Sequence, residues 1–102
     1  MKVTIDVPLP THIWEARINI PNQTFSREHQ ESRFFYNEDD ARKYLLDACR
    51  HLEKSLIHKC LETKATRFYS NFEDYDYDFA ALDKHGFKIA SFTGMLYKRS
   101  VD

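Results

Sequence analysis

The residues whose types and spacing most suggest chemistry form an acidic and aromatic run at positions 72–79, with the sequence FEDYDYDF. Its three aspartates, spaced two apart, match the first three ligand positions of an EF-hand calcium loop. The turn glycine of that loop is replaced by Phe79, and the position of its bidentate glutamate is occupied by His85. The sequence therefore predicts no metal site here.

If this run is extended, its carboxylates lie on one side and its aromatic rings on the other. Tyrosine is favoured in binding patches, and regularly spaced carboxylates can steer a basic partner. The alternative is a solvated loop whose tyrosines pack into the core. The predicted partner-binding residues are Asp74, Tyr75, Asp76, Tyr77 and Asp78.

A second set of residues could bind phosphate from the polar side of a helix and from a later strand. The set is Lys43, Arg50, Lys54 and Arg67. Asp47 and Glu53 interleave with it, so an ordinary solvated helix face is the alternative. His51 and His58 share that side but lie about 10 Å apart along a helix, too far to ligate one metal ion.

One long helix must position these residues, and we predict it at about 38–62. The segment contains neither Gly nor Pro, Asn37 is a good N-cap, and three carboxylates follow it at the positive end of the helix dipole. One apolar stripe has helical spacing: Ala41, Leu45, Ala48, Cys49, Leu52, Leu56 and Cys60. The two cysteines lie about three turns apart, so they cannot bridge each other and read as small buried residues.

Some apolar residues fall outside that stripe and indicate further apolar surface. They are Leu46, Ile57 and Leu61 on the helix, together with Phe35. Either the sheet curls around the helix, or a second subunit covers these residues. They form the predicted dimer or partner interface.

Alternation of apolar and polar residues predicts three strands before the helix. They are Lys2–Val7, His12–Ile20 and Glu31–Tyr36. In the third strand, Phe34 and Tyr36 should face the helix and Phe35 should face away from it.

After the helix, Ala65–Phe72 reads as a fourth strand. A short second helix follows at about 78–85, and Gly86 fits the left-handed position after its end. The segment Phe87–Arg99 is β-prone but too long for one straight strand, so we predict a hairpin or bulge at Gly94.

The segment 79–88, with the sequence FAALDKHGFK, resembles the C-terminal part of GNAT acetyltransferases. In that family a short helix ends in a Gly-Phe pair and leads into a final strand. The family's glycine-rich acyl-CoA loop has no counterpart here, because the long helix opens with carboxylates that would repel a pyrophosphate. The resemblance therefore assigns no catalytic residue.

The element order β-β-β-α-β-α-β predicts an α+β fold, with a mostly antiparallel sheet of about five strands and the long helix on one face. The 102 residues suit a single domain spanning 1–102. A formal net charge of −1 argues against binding to nucleic acid or anionic membrane by bulk electrostatics. The chain shows neither a signal-peptide pattern nor a spanning apolar run, so we expect a cytoplasmic protein without a membrane or cofactor.

No motif in the chain demands a particular chemistry. We therefore expect a small non-enzymatic module that binds a partner protein and forms a homodimer, in the manner of a bacterial or phage accessory protein such as an inhibitor. One alternative is a nucleic-acid or nucleotide-binding protein that uses the basic side of the helix. A second alternative is a small enzyme whose site is assembled from dispersed residues.

Overall fold

The computed structural model describes residues 12–23, 27–62 and 64–100, which form one helix packed on a five-stranded antiparallel sheet. The elements are β1 (His12–Ile20), β2 (His29–Phe35), α1 (Glu38–Cys60), β3 (Arg67–Glu73), β4 (Asp76–Leu82) and β5 (Lys88–Ser100). The predicted α+β class is confirmed. The order of elements among the described residues is β-β-α-β-β-β, and the strand predicted at 2–7 lies outside them.

The strands lie side by side in the order β2-β1-β5-β4-β3, and every neighbouring pair is antiparallel. The last strand along the chain, β5, is therefore the middle strand of the sheet. Its first part pairs with β4 and its last part with β1, and the two stretches overlap only at residues 93–95. The outer strands, β2 and β3, form the two edges.

Helix α1 forms where the apolar stripe predicted it. The side-chain oxygen of Asn37 accepts hydrogen bonds from the backbone N–H groups of Asp39 and Asp40, at 2.7 and 3.3 Å. This cap satisfies donors that have no partner within the first turn. The helix buries Ala41, Leu45, Cys49, Leu56 and Cys60 against the sheet.

A row of aromatic rings fills the space between helix and sheet. Phe92, at the centre, stacks on Phe79 and Tyr77, with ring centroids 5.3 and 5.8 Å away. Phe68 and Phe72 of the edge strand continue the row, at 6.5 Å from Phe79 and 5.8 Å from Tyr77. Because side chains alternate along a strand, rings two residues apart on β4 face the helix on the same side of the sheet as Phe92 of β5.

The helix packs tightly against the sheet at Gly94. A Cβ atom at that position would lie 2.7 Å from the Cys49 sulfur and 3.0 Å from Leu45 Cδ1. The predicted hairpin or bulge at Gly94 is wrong, because β5 runs through it without a break. The register shifts instead opposite Ala81 and Leu82, where Ile89 has no partner of its own. Gly94 therefore makes room for the helix side chains Cys49 and Leu45 and does not form a turn.

The second helix predicted at 78–85 is also wrong, since most of that segment is strand β4. Tyr77, Phe79 and Ala81 are buried on the helix side, with the two-residue period of a strand. Pairing with β3 and β5 satisfies the backbone on both sides, which overrides the helical tendency of the two alanines. The segment that resembles GNAT acetyltransferases accordingly lacks their short helix.

Gly86 does adopt a left-handed conformation, with φ of 83°, but in the turn between β4 and β5. The Asp83 carboxylate holds this turn by accepting hydrogen bonds from the N–H groups of His85 and Phe87, at 2.8 and 3.0 Å. These bonds, that of Phe87 above all, lower the pKa of the Asp83 carboxyl. An Asx-type turn thus occupies the place of the predicted helix end.

The predicted orientation of the β2 aromatics is reversed. Phe35 pairs with Trp14 and packs on the core side, with its ring 5.3 Å from that of Tyr44. Phe34 points to the other side and is 59% exposed, while Tyr36 lies beyond the strand and is exposed. A one-residue difference in register reverses every side chain of a strand, and sequence alternation alone does not determine that register here.

We predict that Gly94→Ala destabilises the protein by about 1–3 kcal/mol, the usual cost of overpacking a core. The added methyl group would overlap the Cys49 sulfur, so helix and sheet would have to move apart. Urea unfolding of the wild type, Gly94→Ala, Cys49→Ala and the double variant measures this effect. The double variant should lose less than the sum of the single losses, because removing the sulfur makes room for the methyl. Additive losses would contradict the proposed contact.

Candidate partner-binding surface

The side of the sheet opposite α1 is the candidate binding surface, and we call it the open face. Strand alternation and the strand register place residues of all five strands on it. Its β2, β1 and β5 part includes Ser32, Phe34, Glu15, Arg17, Tyr97 and Arg99. Its β4 and β3 part includes Asp76, Asp78, Tyr69, Asn71 and Glu73.

A buried carboxylate organises the first part of the open face. Glu15 is only 4% exposed, and its Oε2 accepts hydrogen bonds from Ser32 Oγ at 2.7 Å and Arg17 Nε at 2.9 Å. Its Oε1 accepts a hydrogen bond from Arg99 Nε, also at 2.9 Å. Both carboxylate oxygens are therefore satisfied, and strands β2, β1 and β5 are linked by one side chain.

The two arginines of this network also contact an aromatic ring. The guanidinium carbons of Arg17 and Arg99 lie 4.8 and 4.6 Å from the ring centroid of Tyr97. Such contacts between a cation and a ring face add modest stabilisation. The cations of this region are thus already engaged by Glu15 and Tyr97.

Two opposing effects act on the Glu15 pKa. Burial alone would raise it, but the hydrogen bonds from Ser32, Arg17 and Arg99 outweigh burial and leave the pKa below its ordinary value. The carboxylate is therefore charged at neutral pH, as its two arginine partners require. Sequence reasoning missed this network, because Glu15 and Arg99 are 84 residues apart along the chain.

The predicted aspartates form an acidic patch at the β3–β4 end of the sheet, which we define as Glu73, Asp74, Asp76 and Asp78. Asp76 and Asp78 are exposed on the open face. Glu73 lies directly opposite Asp76 in the β3–β4 pairing, so two like charges face each other. Asp74 occupies the turn with φ of 51°, a left-handed conformation that glycine adopts more readily.

The predicted tyrosines do not share that surface. Tyr77 is buried on the helix side, where burial and the neighbouring Glu53 raise its pKa to about 12. Tyr75 turns back over the sheet and stacks on Trp14 at 5.8 Å, and its carbonyl accepts a hydrogen bond from the Leu96 N–H at 2.9 Å. The structure thus separates the predicted carboxylates from the buried ring of Tyr77 and from the ring of Tyr75, which stacks on Trp14 and remains 43% exposed.

The predicted apolar interface is largely covered by the chain itself. Leu46, Ile57 and Phe35 are partly buried and pack against the core cluster. Leu61, just after α1, is 66% exposed. Three of these four residues therefore contact the core of their own chain, and the predicted dimer or partner interface stays a prediction.

The predicted phosphate-binding residues are not brought together. Lys43, Arg50 and Lys54 lie on the exposed side of α1, whereas Arg67 belongs to edge strand β3 on the opposite layer. The Arg67 guanidinium extends toward Gly86, 3.9 Å from where a Cβ would be. A cationic surface made of these four side chains is therefore absent from the described part of the structure.

Both thiols are buried beneath the helix. Burial, with a smaller contribution from Glu53, raises the pKa of Cys49 to about 12, and burial raises that of Cys60. Neither thiol is ionised at neutral pH, so neither is a ready nucleophile.

Within residues 12–23, 27–62 and 64–100, no three His, Cys, Asp or Glu side chains are placed to hold a metal ion. Across the same ranges, α1 is too polar to cross a bilayer. Comparisons with known proteins return no match to any family model, curated protein or solved structure. A proposal for the function therefore depends on the residues and charges of the open face.

We predict that the stability supplied by Glu15 depends on pH. Its lowered pKa means that this contribution is fully present above its ordinary value of 4.5 and is lost as the pH falls through the folded-state value. Glu15→Gln should cost about 1–3 kcal/mol at neutral pH, because it weakens hydrogen bonds to a buried acceptor. Urea unfolding as a function of pH measures the difference between variant and wild type.

That difference should shrink in acid, where Glu15 becomes protonated in the wild type as well. Glu62→Gln, at an exposed position after the helix, serves as the control and should change stability little. A Glu15→Gln cost that stays constant across the acid range would contradict the charged network.

Proposed function

We propose that the protein is a non-enzymatic interaction module that binds a basic segment of a partner protein at the acidic patch of its open face. The observation that carries this proposal is the concentration of four carboxylates between residues 73 and 78, beside a sheet surface that the helix leaves uncovered. Lysine and arginine side chains are the natural partners for such a surface.

The acidic patch has local costs for folding that a bound cation would remove. Carboxylates directly opposite each other, such as Glu73 and Asp76, destabilise a strand pair by about 0.2–1 kcal/mol. Asp74 adds a left-handed backbone conformation in the adjacent turn. The carboxylates of the acidic patch lower the stability of the fold locally. Binding of a partner at that patch is a physical reason for their presence.

The surroundings of the acidic patch suit a protein partner. Asp76 and Asp78 lie two residues apart on one strand, about 7 Å along it, which matches cationic side chains at alternate positions of an extended segment. Tyr69 is 55% exposed on the same face and offers an aromatic ring beside the carboxylates. Tyrosine is enriched in protein interfaces because its ring gives a large contact area and its hydroxyl a hydrogen bond.

Nucleic-acid binding gains no comparable support. The arginines on the β1 and β5 part of the open face are paired with Glu15, and the neighbouring β4 part is acidic. Phosphates crossing this face would meet the carboxylates of Asp76 and Asp78. The face is better matched to a cation than to an anion.

We predict that Asp76→Asn with Asp78→Asn abolishes most partner binding while leaving the fold intact. The full chain is immobilised, exposed to proteins of its native host at low salt, and the captured proteins are quantified by mass spectrometry. Loss of two charge-assisted hydrogen bonds of about 1.5 kcal/mol each should lower recovery of the true partner at least about tenfold. Wild-type recovery should also fall as salt is raised.

A matched control carries Asp47→Asn with Glu62→Gln, which removes two exposed charges elsewhere and should leave recovery unchanged. Unfolding curves of both double variants verify that the fold persists. The proposal is wrong if every captured protein is recovered equally with all three chains, or if both double variants lose it equally.

A further inference from the structure

We propose that two copies of this chain join through their β3 edge strands, antiparallel to each other, so that the five-stranded sheets of their described residues form one continuous sheet. Among the described residues of a single copy, β3 is the edge strand that α1 covers least. Its residues are exposed or half-buried and none is fully buried, since α1 packs mainly on the other four strands. Phe68 on its core side is 37% exposed, and Tyr69 on the open face is 55% exposed.

The sequence of β3, Arg67-Phe68-Tyr69-Ser70-Asn71-Phe72-Glu73, is complementary to itself when reversed. Antiparallel pairing centred on Ser70 sets Arg67 opposite Glu73 of the second copy, and the same pair recurs at the other end. Phe68 then lies opposite Phe72 of the second copy, and Tyr69 opposite Asn71. Opposite charges and aromatic pairs across neighbouring strands both stabilise a sheet.

Side-chain direction agrees with this register. Residues paired about Ser70 are both odd-numbered or both even-numbered, so the open face and the core face each continue across the junction. The two phenylalanine pairs extend the aromatic row of the core, where Phe68 already stacks on Phe79 and Phe72 contacts Tyr77. Moving the centre of pairing by one residue along β3 would no longer bring Arg67 opposite Glu73.

The backbone is also suitably oriented. The two-residue turn between Glu73 and Asp76 makes those residues a hydrogen-bonded pair. Alternate residues of β3 therefore direct their N–H and C=O groups toward β4, and the residues between them, Phe68, Ser70 and Phe72, direct theirs outward. Pairing centred on Ser70 joins these outward groups to each other.

Edge strand β3 lacks the usual defences against such pairing. It contains no proline, its pairing with β4 shows no register shift, and its charges lie only at its ends. Edge strand β2 differs, because Glu31 and Arg33 lie within it and both contact Tyr44 of the helix. Neither charge of β3 has a salt bridge among the described residues, and Glu73 accepts only a long hydrogen bond from Asn71 Nδ2, at 3.5 Å.

Dimerisation through β3 and the binding of a partner at the acidic patch share Glu73, but the first needs Arg67 and Phe68 and the second Asp76 and Asp78, so either can fail without the other. In the dimer Glu73 would be neutralised by Arg67 of the second copy, while Asp76 and Asp78 stay on the open face. The dimer would present two such aspartate pairs on one continuous surface.

Sedimentation-equilibrium measurements on the full chain test this proposal. Arg67→Glu and Glu73→Arg each place like charges opposite each other at both ends of the junction, and each should weaken dimerisation by at least about tenfold. The double variant restores opposite charges in reversed order, and its dissociation constant should return to within a few-fold of the wild type. Leu61→Asp, on the exposed apolar position after the helix, should leave dimerisation unchanged.

Rescue by the double variant separates a specific junction from general destabilisation, because misfolding in either single variant would not be repaired by combining them. The proposal is overturned by a wild-type chain that stays monomeric at high concentration. A dimer that both charge reversals leave intact, or one that Leu61→Asp alone disrupts, would overturn it equally.

Discussion

The close approach of α1 to the sheet at Gly94 sets the geometry of the whole molecule. With no side chain at that point, the Cys49 sulfur and Leu45 can lie almost against the backbone of the central strand. The buried stripe of α1 then contacts four strands. The aromatic row lies between the helix and the sheet, beside this contact. A larger residue at 94, or larger residues at 45 and 49, would lift the helix and loosen the contacts around it.

The two sides of the sheet are stabilised in different ways. The helix side is a dry layer of stacked rings and aliphatic residues, whereas the open face relies on the Glu15 carboxylate and its three donors to join β2, β1 and β5. This network needs no covering layer, because both oxygens of the buried carboxylate have donors and the two guanidinium groups remain partly exposed to water. It therefore leaves the β4 and β3 part of the same face free to carry unbalanced carboxylates.

The helix and the class of fold could be predicted from the sequence, because the apolar stripe of α1 and the cap at Asn37 are local signals. The helix predicted at 78–85 is wrong, although Tyr77, Phe79 and Ala81 alternate with polar or small residues as a strand requires. In that segment the two-residue alternation indicates a strand, whereas two adjacent alanines followed by Gly86 indicate a helix and its end. Only the pairing with β5 decides between strand and helix. The orientation of Phe34 and Phe35 is likewise not determined locally. It depends on the register in which β2 pairs with β1, and the sequence of β2 alone does not specify that register.

The candidate surface was less predictable than the fold. The aspartates could be placed together because they are close in sequence and share one side of a strand. The separation of Tyr75 and Tyr77 from them depends on Trp14 and on the aromatic row, both contributed by distant parts of the chain. Only the Arg17 partner of Glu15 is local in sequence, since Ser32 and Arg99 come from two other strands.

The central position of β5 has a consequence for how the chain acquires its structure during synthesis. The β1–β2 hairpin, α1 and the β3–β4 hairpin all emerge from the ribosome before the strand that joins them. Until residues 88–100 have emerged, the apolar stripe of α1 and the rings of β4 have no complete surface to pack on. Most of the tertiary structure must therefore form late, as one cooperative event, and the apolar surfaces of the nascent chain remain exposed until then.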